Sequence, residues 1–429
     1  MKVLVLGATG FLGRHVARAL REAGYQVAGG ARTPPARGEP GVEYRGVDFN
    51  RADRAQDWLP LLHDIDVVVN AVGIFRESPG KTFRQLHERA PRALFDACRR
   101  AGVRRVIQVS ALGADDRAQT AYHLSKRAAD AYLLSLPIDA VVVQPSLVFG
   151  AGGASAGLFG MFATLPWIPA PDIGAARVQP VHIDDVSAAI VALADPARPH
   201  PPRVALVGPR PVSWREWHTG LRAALGMPGR ARFIPVPASL ASAAARVGDR
   251  WPGLPFDRDA WRMLLRGNCA DAGPMTDLLG RPPRDIARFV APPDVPAQRA
   301  WAQLQWLAPV LRLSLACLWI ATGVLSLGVY PVRSSYALLQ QAGVPAWAQP
   351  AALYGAAGLD IALGVLALAP RRMHWLWAAQ AGLILAYTAI ISWRLPEFWL
   401  HPYGPILKNL PLLALLWLLY ELERPWNTR

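Results

Sequence analysis

Three side chains with complementary acid–base properties, Ser110, Tyr122 and Lys126, lie close together in the sequence. Tyr122 and Lys126 are four residues apart, and residues at i and i+4 share one face of a helix. A tyrosine phenol ordinarily titrates at about pH 10, and a neighbouring ammonium group favours the phenolate and lowers this pKa. Such a tyrosine can transfer protons at neutral pH while Ser110 hydrogen-bonds the substrate oxygen. The spacing predicts a proton-transfer site in which Lys126 lowers the pKa of Tyr122.

The choice of lysine at position 126 runs against the composition of the chain. Only four of the 46 basic residues are lysines, and the other 42 are arginines. A lysine presents a compact ammonium group, which the planar guanidinium of arginine does not reproduce. This bias indicates that position 126 requires an ammonium group.

A glycine-rich turn begins six residues after the N-terminus, with the sequence Gly7-Ala8-Thr9-Gly10-Phe11-Leu12-Gly13. Glycines at such positions permit a tight turn, bring backbone N–H groups to a pyrophosphate and let the next helix pack on the sheet. The positive end of that helix then faces the phosphates. The turn predicts a dinucleotide site that includes Gly7, Thr9, Gly10, Phe11, Leu12 and Gly13.

The end of the second predicted strand indicates which dinucleotide is preferred. An acidic residue there binds the ribose 2′-hydroxyl and repels a 2′-phosphate. Here Arg32 follows the strand, and the first acidic residue after the strand is Glu39. Arg32, helped by Arg37, can pair with a 2′-phosphate, so NADP(H) is expected over NAD(H). The alternative is that Arg32 is one of many solvated arginines.

Strand and helix patterns alternate over the first 145 residues. Strands are predicted at 2–6, 26–30, 43–47, 66–70, 103–110 and 139–144, with helices at 11–23, 83–101 and 120–136. The strands are rich in Val and Ile without alternation, as in strands covered on both faces. This pattern predicts an α/β fold with a Rossmann-type, doubly wound parallel sheet.

The residues from 145 to 295 are expected to complete the first domain, 1–295, with a small substrate-binding part at about 145–290. Residues 145–171 carry no charge but contain four prolines, which favours a loop–helix–loop beside a pocket over a membrane span. Further elements are predicted at 203–207, 213–225 and 233–236. The proline-rich stretch 291–296 is predicted to be a linker.

The C-terminal region, 296–429, has the composition of a membrane domain. Residues 301–429 hold 12 charged residues and ten of the sixteen tryptophans. About 20 residues of helix cross the hydrocarbon core, and four spans are predicted, at 309–330, 351–369, 373–393 and 403–420. An all-α four-helix transmembrane bundle is therefore expected, with a soluble apolar bundle as the alternative.

Charge placement predicts the orientation of these spans. Four spans with a cytoplasmic N-terminal domain place six arginines at the cytoplasmic side and three basic residues at the other, which agrees with the positive-inside rule. We therefore expect a multi-pass protein of the inner membrane with both termini in the cytoplasm. The six are Arg299, Arg312, Arg371, Arg372, Arg424 and Arg429, and the three are Arg333, Arg394 and Lys408.

These N-terminal motifs together resemble the short-chain dehydrogenase/reductase superfamily. The segments 144–150 and 179–186 resemble its extended and atypical branches, which include epimerase/dehydratase-like proteins and the nucleotide-binding accessory subunit of respiratory complex I. The resemblance implies that Lys126 also holds the nicotinamide ribose, that Asp48 contacts adenine and that 71–73 line the adenosine pocket. Extended members usually carry a second Ser or Thr beside the catalytic serine, whereas Ala111 stands here. The cofactor residues assigned on this resemblance are Asp48, Asn70, Ala71, Val72, Gly73, Tyr122, Lys126 and Pro145.

The membrane region resembles the DoxX-like family of small four-helix membrane proteins, through its four spans and the motif at 403–411. Some relatives of that family associate with quinone-linked redox chemistry, which makes a membrane redox partner a further expectation. Asp360 lies in the middle of a predicted span, where a carboxylate is costly and is by default a functional candidate. The alternative is a structural role in the bundle interior.

Several functional classes are disfavoured. The net charge of +15 comes from scattered arginines without basic runs, so anionic lipid is a better partner than nucleic acid. The three cysteines are isolated, and His182, Asp184 and Asp185 are interpreted as a strand end and an Asp N-cap for a helix starting near Val186 rather than as a metal site.

Two functions remain. The first is a membrane-anchored NAD(P)(H)-dependent oxidoreductase or epimerase acting on a small or lipid-soluble, quinone-like carbonyl or hydroxyl substrate. The second is a non-catalytic nucleotide-binding assembly or interaction protein that resembles the complex I subunit.

Overall fold

The computed structural model describes residues 1–36, 38–250 and 256–424. The chain forms two compact units, Met1–Gln303 and Leu304–Arg429. Two residues named above, Arg37 and Arg429, lie outside the described residues.

Eleven strands lie in the described part of the first unit. They are β1 (Lys2–Leu6), β2 (Gln26–Ala31), β3 (Val42–Gly46), β4 (Val67–Asn70), β5 (Arg105–Val109), β6 (Ala140–Pro145), β7 (Val148–Phe149), β8 (Ile168–Pro171), β9 (Val181–His182), β10 (Arg203–Leu206) and β11 (Phe233–Val236). Seven of them form one sheet in the order β10-β6-β5-β4-β1-β2-β3, with parallel pairing throughout. The expectation of a doubly wound parallel sheet is therefore confirmed.

The strand order reverses direction between β1 and β4, which lie side by side in the centre of the sheet. In open α/β sheets, ligands bind outside the carboxyl ends of the strands at this switch point. The chain leaves β1 at Gly7 and β4 at Ala71. The glycine turn and the segment 71–73 therefore meet where a ligand is expected.

Helices cover both faces of the sheet because its strands are apolar on both sides. Valines of β1 and β4 contact one buried cluster with Val16 and Leu20, and their neighbours contact a second cluster with Leu94 and Phe95. The helices of this unit are Phe11–Glu22, Ala55–Trp58, Ala90–Ala101 (preceded by a π-helical turn, Arg84–Arg89), Ala121–Ser135, Ala154–Thr164, Ile183–Leu193, Trp214–Ala224, Ala238–Arg250, Arg258–Arg266 and Gly273–Leu279.

The uncharged stretch 145–171 folds as a strand, a helix and a second strand, β7, Ala154–Thr164 and β8. Strand β8 pairs with β11, and β7 pairs with β9. The stretch is not among the candidate membrane spans of the described residues. Its helix was predicted, but strands β7 and β8 lie where loops were expected, and a role beside a pocket stays a prediction.

The predicted linker at 291–296 is wrong. Pro292–Asp294 forms a 3₁₀ turn, and Val295 begins a helix that continues to Val324. Proline is tolerated in the first turn of a helix, where its missing N–H would have no intrahelical partner. The prolines here mark the start of a helix.

The second unit is helical, and three helical stretches of the described chain are long and apolar enough to cross a membrane: Pro292–Val329, Ala346–Ala367 and His374–Arg394. The fourth predicted span is not among them. Its helix, Asn409–Glu423, has 15 residues, about 22 Å at 1.5 Å per residue, and residues 401–408 do not extend it because they form turns. A further helix, Val332–Gln341, follows the first stretch.

Small residues let the first two of these long helices approach closely. A Cβ atom on Gly323 would lie 2.7 Å from the Ala357 carbonyl oxygen, and one on Gly364 would lie 3.0 Å from that of Ala316. Close backbone approach at small residues is a common packing mode of membrane helices.

Candidate functional site

The glycine turn after β1 has the geometry that a phosphate cradle requires. Gly7 adopts a φ of +76°, a left-handed conformation that favours glycine. A Cβ on Gly13 would lie 2.1 Å from the Gly7 carbonyl oxygen, so the helix Phe11–Glu22 packs against the turn at a distance that only glycine permits. Thr9 and Gly10 are exposed at the tip. The residues present fit a dinucleotide phosphate group.

Polar side chains inside the sheet fix the neighbouring turn after β4. The Asn70 amide nitrogen donates to the Gln108 side-chain oxygen at 2.8 Å, and the Asn70 oxygen accepts from the Val72 N–H at 3.3 Å. Asn70 and Gln108 are buried. The segment 71–73 is therefore held beside the glycine turn, and a Cβ on Gly7 would contact Val72 and Ala71.

The helix Ala121–Ser135 places the predicted acid–base residues on one face. Thr120 caps its start by accepting a hydrogen bond from the His123 N–H, as is typical of an N-cap threonine. Lys126 is buried, and its ammonium group donates to the carbonyl oxygens of Val109 at 3.0 Å and Val72 at 3.2 Å. Burial lowers the pKa of Lys126 to about 8. Lys126 thus joins the ends of β4 and β5.

Asp130 is a component of this site that the sequence reasoning missed. The Ser110 hydroxyl donates to an Asp130 carboxylate oxygen, and both side chains are buried. Burial raises the pKa of Asp130 to about 6, although Ser110 and Lys126 act against this rise. Asp130 lies four residues after Lys126 and eight after Tyr122, and this spacing on one helix face was the available signal.

Tyr122 lies under a layer of rings. Phe75 stacks on it with ring centroids 5.2 Å apart, and Phe83 and His87 contact it edge-on. Tyr122 is 7% exposed, whereas Phe75 is 79% exposed. Phe75 therefore covers Tyr122 on the solvent side.

The prediction that Lys126 lowers the pKa of Tyr122 is wrong. Burial and the nearby Asp130 charge raise the pKa of Tyr122 above its ordinary value. The Lys126 ammonium group donates to two backbone carbonyl groups, and its charge does not offset the burial of the phenol. The i, i+4 spacing placed both residues correctly but did not determine the electrostatic balance.

His87 is a second missed residue at this site. Its Nε2 accepts from the Ile74 N–H at 2.9 Å, and its Nδ1 lies 3.0 Å from the Ser125 hydroxyl oxygen. Ser125 donates its own proton to the Tyr122 carbonyl oxygen, so Nδ1–H of His87 is the donor of that pair. Burial and the Lys126 charge lower the pKa of His87 to about 2. A neutral histidine thus links the helix Ala121–Ser135 to the segment after β4, a contact that no local sequence motif predicts.

The other predicted cofactor residues lie at the same edge of the sheet. Arg32 directly follows β2 and is exposed. Asp48 follows β3 by two residues and accepts from the Asn50 N–H at 3.0 Å. Pro145 ends β6, and its carbonyl oxygen accepts from the Leu112 N–H at 3.0 Å.

The segment around His182 is a helix start, but its cap differs from the prediction. The helix begins at Ile183, and His182 is the N-cap, because its ring accepts from the Asp184 N–H. The buried Asp185 binds Arg281 at 2.6 Å and the Arg284 N–H at 2.7 Å. These residues are therefore committed to structural contacts.

In the second unit, Asp360 is 6% exposed, and one of its carboxylate oxygens has no hydrogen-bond partner among the described residues. In the same unit, Arg312 pairs with Glu423 at 3.2 Å. A buried Trp319–Gln380 hydrogen bond of 2.9 Å lies in the same unit.

Both units match known families. Residues 3–208 match the NAD dependent epimerase/dehydratase family, and residues 316–417 match the DoxX-like family.

Two curated relatives differ in the function that their names state. The chain is 29% identical over 262 residues to the ceramide reductase of Caulobacter vibrioides, covering 59% of this chain and 78% of that protein. It is 30% identical over 195 residues to subunit 9 of the NADH dehydrogenase [ubiquinone] 1 alpha subcomplex of Mus musculus, covering 44% of this chain and 51% of that protein. The chain thus spans about half the length of the second relative.

Solved structures share the fold of the first unit. The structure of gox2253 matches with a TM-score of 0.54 at 21% identity, covering 71% of this chain and 98% of that chain. MoeE5 in complex with UDP-glucose and NAD matches with a TM-score of 0.51 at 20% identity, covering 71% and 99%. The switch-point geometry and the family matches agree. The first unit carries an NAD-binding domain of the epimerase/dehydratase type at residues 3–208, which supports an NAD-dependent oxidoreductase or epimerase, and the second unit carries a DoxX-like domain at residues 316–417.

Proposed function

We propose that the chain is a membrane-anchored oxidoreductase that uses NAD(P)(H) to interconvert a hydroxyl and a carbonyl group on a lipid-soluble substrate. One observation carries this proposal. A single helix face presents Tyr122, Lys126 and Asp130 beside Ser110, at the sheet edge that holds the glycine cradle.

The side chains of the site divide the work of this reaction. When bound, the nicotinamide cofactor supplies the hydride acceptor or donor. Tyr122 donates the proton to the substrate oxygen or accepts it from that oxygen. We assign this role to Tyr122 because a positioned tyrosine phenol can act as a general acid or base. Ser110 orients the same oxygen, and Asp130 fixes the Ser110 hydroxyl. Lys126 holds a positive charge beneath the site and joins the ends of β4 and β5.

The substrate class is inferred from the relatives and from the second unit. The Caulobacter vibrioides relative is a ceramide reductase, which is an enzyme with a lipid substrate. Three helical stretches long enough to span a membrane follow the domain in this chain. Tethering to a bilayer shortens the search for a substrate that partitions into lipid. We therefore infer a long-chain lipid bearing a ketone or secondary hydroxyl group.

The cofactor preference is proposed to be NADP(H) over NAD(H). Arg32 follows β2, where a cationic side chain favours a 2′-phosphate and an acid would exclude it. Arg32 is exposed and close in sequence to the strand end.

The proposed location is the inner membrane, with the first unit and the C-terminus on the cytoplasmic side. This orientation requires the 15-residue helix Asn409–Glu423 to cross as a fourth span, because the three candidate spans alone would place the two ends of the chain on opposite sides. The excess of arginine next to the spans on that side supports this orientation. A membrane redox partner and bound lipid remain proposed partners of the second unit.

A second candidate function is a nucleotide-binding protein without turnover. Two observations favour it: Phe75 covers Tyr122, and burial raises the Tyr122 pKa. The relationship to a complex I subunit adds support. In this case the nucleotide stabilises the fold and the first unit binds a partner.

Turnover by the full-length protein in detergent distinguishes the two. NADPH and NADH oxidation is measured with ketone-bearing sphingolipids and with a quinone, and the reverse reaction with ceramide. Lipid-dependent oxidation of NADPH supports the reductase. Nucleotide binding without turnover on any of these substrates supports the second function. Tyr122→Phe is the matched variant for the first outcome, because it removes only the phenolic oxygen.

A further inference from the structure

The helix Ala238–Arg250 carries apolar residues on two sides. Ala241, Ala245 and Gly248 are buried, and Ala241 and Ala245 pack in a small core with Trp261. On the outward side, Leu240 and Val247 are 62% and 52% exposed. With the exposed Ala244 between them, they occupy positions i, i+4 and i+7 of one helical face. A surface helix ordinarily needs only one apolar stripe, so the outward stripe has no role in the core.

Strand β11, which precedes this helix in the sequence, and its partner β8 add further exposed apolar residues. Ile234 in β11 is 48% exposed, and Trp167, which immediately precedes the partner strand β8, is 53% exposed. The Arg232 guanidinium lies 5.5 Å from the centre of the Trp167 ring. A tryptophan with an arginine over it is a pairing suited to a membrane–water interface, where one part of the group is apolar and the other is hydrated.

The charges around these residues are mostly positive, although the exposed Asp172 directly follows β8. Arg232, Arg246 and Arg250 are exposed, and within the described part of the chain none of them pairs with a carboxylate. The one acidic residue between 226 and 250, Asp249, is engaged by Arg258. The surface is thus apolar with a cationic border, which complements an anionic bilayer surface.

We propose that this surface contacts anionic phospholipid headgroups. We call it the lipid-contact surface, and it comprises Trp167, Arg232, Ile234, Leu240, Ala244, Arg246, Val247 and Arg250. The first candidate span of the same chain begins at Pro292. The first unit is therefore tethered to the bilayer, which makes lipid the proposed occupant of this surface. The inference rests on the proposed membrane localisation and is independent of catalysis. Its consequence is that the substrate-binding part of the first unit is held at the membrane by a second set of contacts besides the spans.

Photocrosslinking of the full-length protein tests the inference. Benzoylphenylalanine is introduced in place of Leu240 or of Val247, and in a control in place of Leu59, another exposed leucine of this unit (37% exposed). The protein is reconstituted in vesicles of phosphatidylcholine alone and in vesicles that also contain phosphatidylglycerol. Adducts are identified by mass spectrometry after the vesicles have been sedimented.

The expected result is a phospholipid adduct at positions 240 and 247, enriched in vesicles with phosphatidylglycerol, and none at position 59. Arg232→Gln and Arg246→Gln are each expected to reduce the adduct by up to about fivefold, which corresponds to about 1 kcal/mol per arginine at an anionic surface.

Three outcomes would overturn the inference: a crosslink to residues 304–424 or to a second copy, no adduct at either position in protein that sediments with the vesicles, or equal labelling in both kinds of vesicle. Protein that does not sediment with vesicles would contradict the membrane localisation itself. None of these results depends on turnover, so failure here is distinguishable from failure of the proposed reaction.

Discussion

Replacing Gly13 with alanine is expected to damage nucleotide binding because the new methyl group has no space. Its Cβ would lie 2.1 Å from the Gly7 carbonyl oxygen and 2.6 Å from the Gly7 carbonyl carbon. Real Cβ atoms do not approach within 3.0 Å, so the helix Phe11–Glu22 must move by about 1 Å relative to the turn. Overpacking of this kind costs about 1–3 kcal/mol.

The same displacement moves the N–H groups that face the phosphates. If the whole cost falls on binding, 1–3 kcal/mol corresponds to about a 5- to 150-fold weaker Kd. If it falls on the fold, Tm decreases by about 2–4 °C per kcal/mol. Isothermal titration of the full-length protein with NADPH and NADH, combined with thermal unfolding, measures both parts.

Two further glycine substitutions calibrate the prediction. A Cβ on Gly10 would lie 3.1 Å from the Gly7 oxygen, so Gly10→Ala should be milder. Gly157 lies within the helix Ala154–Thr164 with nothing within 4 Å of its Cβ. Gly157→Ala should leave nucleotide affinity unchanged and stabilise the helix by about 0.5–1 kcal/mol. Wild-type nucleotide affinity and wild-type Tm in Gly13→Ala would show that the close packing of Gly13 on the Gly7 turn does not position the phosphate site.

Three other substitutions test separate parts of the molecule. Arg32→Asp should weaken NADPH binding about tenfold or more relative to NADH, because a charged hydrogen bond worth about 1.5–3 kcal/mol becomes a repulsion; an unchanged preference in titrations with both cofactors would remove Arg32 from the site. Asp130 has a pKa raised to about 6 in the fold, so the folded state binds the proton more tightly than the unfolded state and this group's contribution lowers stability as pH rises from about 4 to about 6. Asp130→Asn should abolish that part of the pH dependence of Tm, and an identical pH profile in the variant would show that Asp130 titrates normally. Gly364→Leu should lower the Tm of the second unit in detergent, because even a Cβ there would lie 2.7 Å from Ile320; Gly355→Leu, with nothing within 4 Å, is its control, and equal Tm values would contradict close helix packing.

The parts of the fold set by local pattern were predictable from the sequence. Parallel strands that are buried on both faces have continuous Val-rich sequences, and β1 was predicted with the bounds it has in the structure. The glycine turn was predictable because it joins the first strand to the first helix. The placement of Tyr122 and Lys126 on one helix was predictable because residues four apart share a helix face.

Contacts between distant segments were not predictable from local pattern. Ser110 and Asp130 are 20 residues apart, and the His87–Ser125 contact joins two helical segments. The direction of the Tyr122 pKa depends on the aromatic side chains of Phe75 and Phe83, which only tertiary folding brings to it. Proline residues did not distinguish a linker from a helix start. The prolines at 292–296 lie at the start of a helix, where a linker was expected.

In the proposed reaction, the first unit uses Tyr122 as its acid–base group in the reduction or oxidation of a lipid. The most direct measurement is the rate of lipid-dependent NADPH oxidation by the full-length protein and by Tyr122→Phe, with nucleotide affinity measured in parallel. Proton transfer by a positioned side chain contributes about 10²–10⁴-fold, so the variant should lose about that factor in kcat while its Kd for NADPH stays close to wild type. Turnover of the variant at the wild-type rate would show that Tyr122 is not the acid–base group.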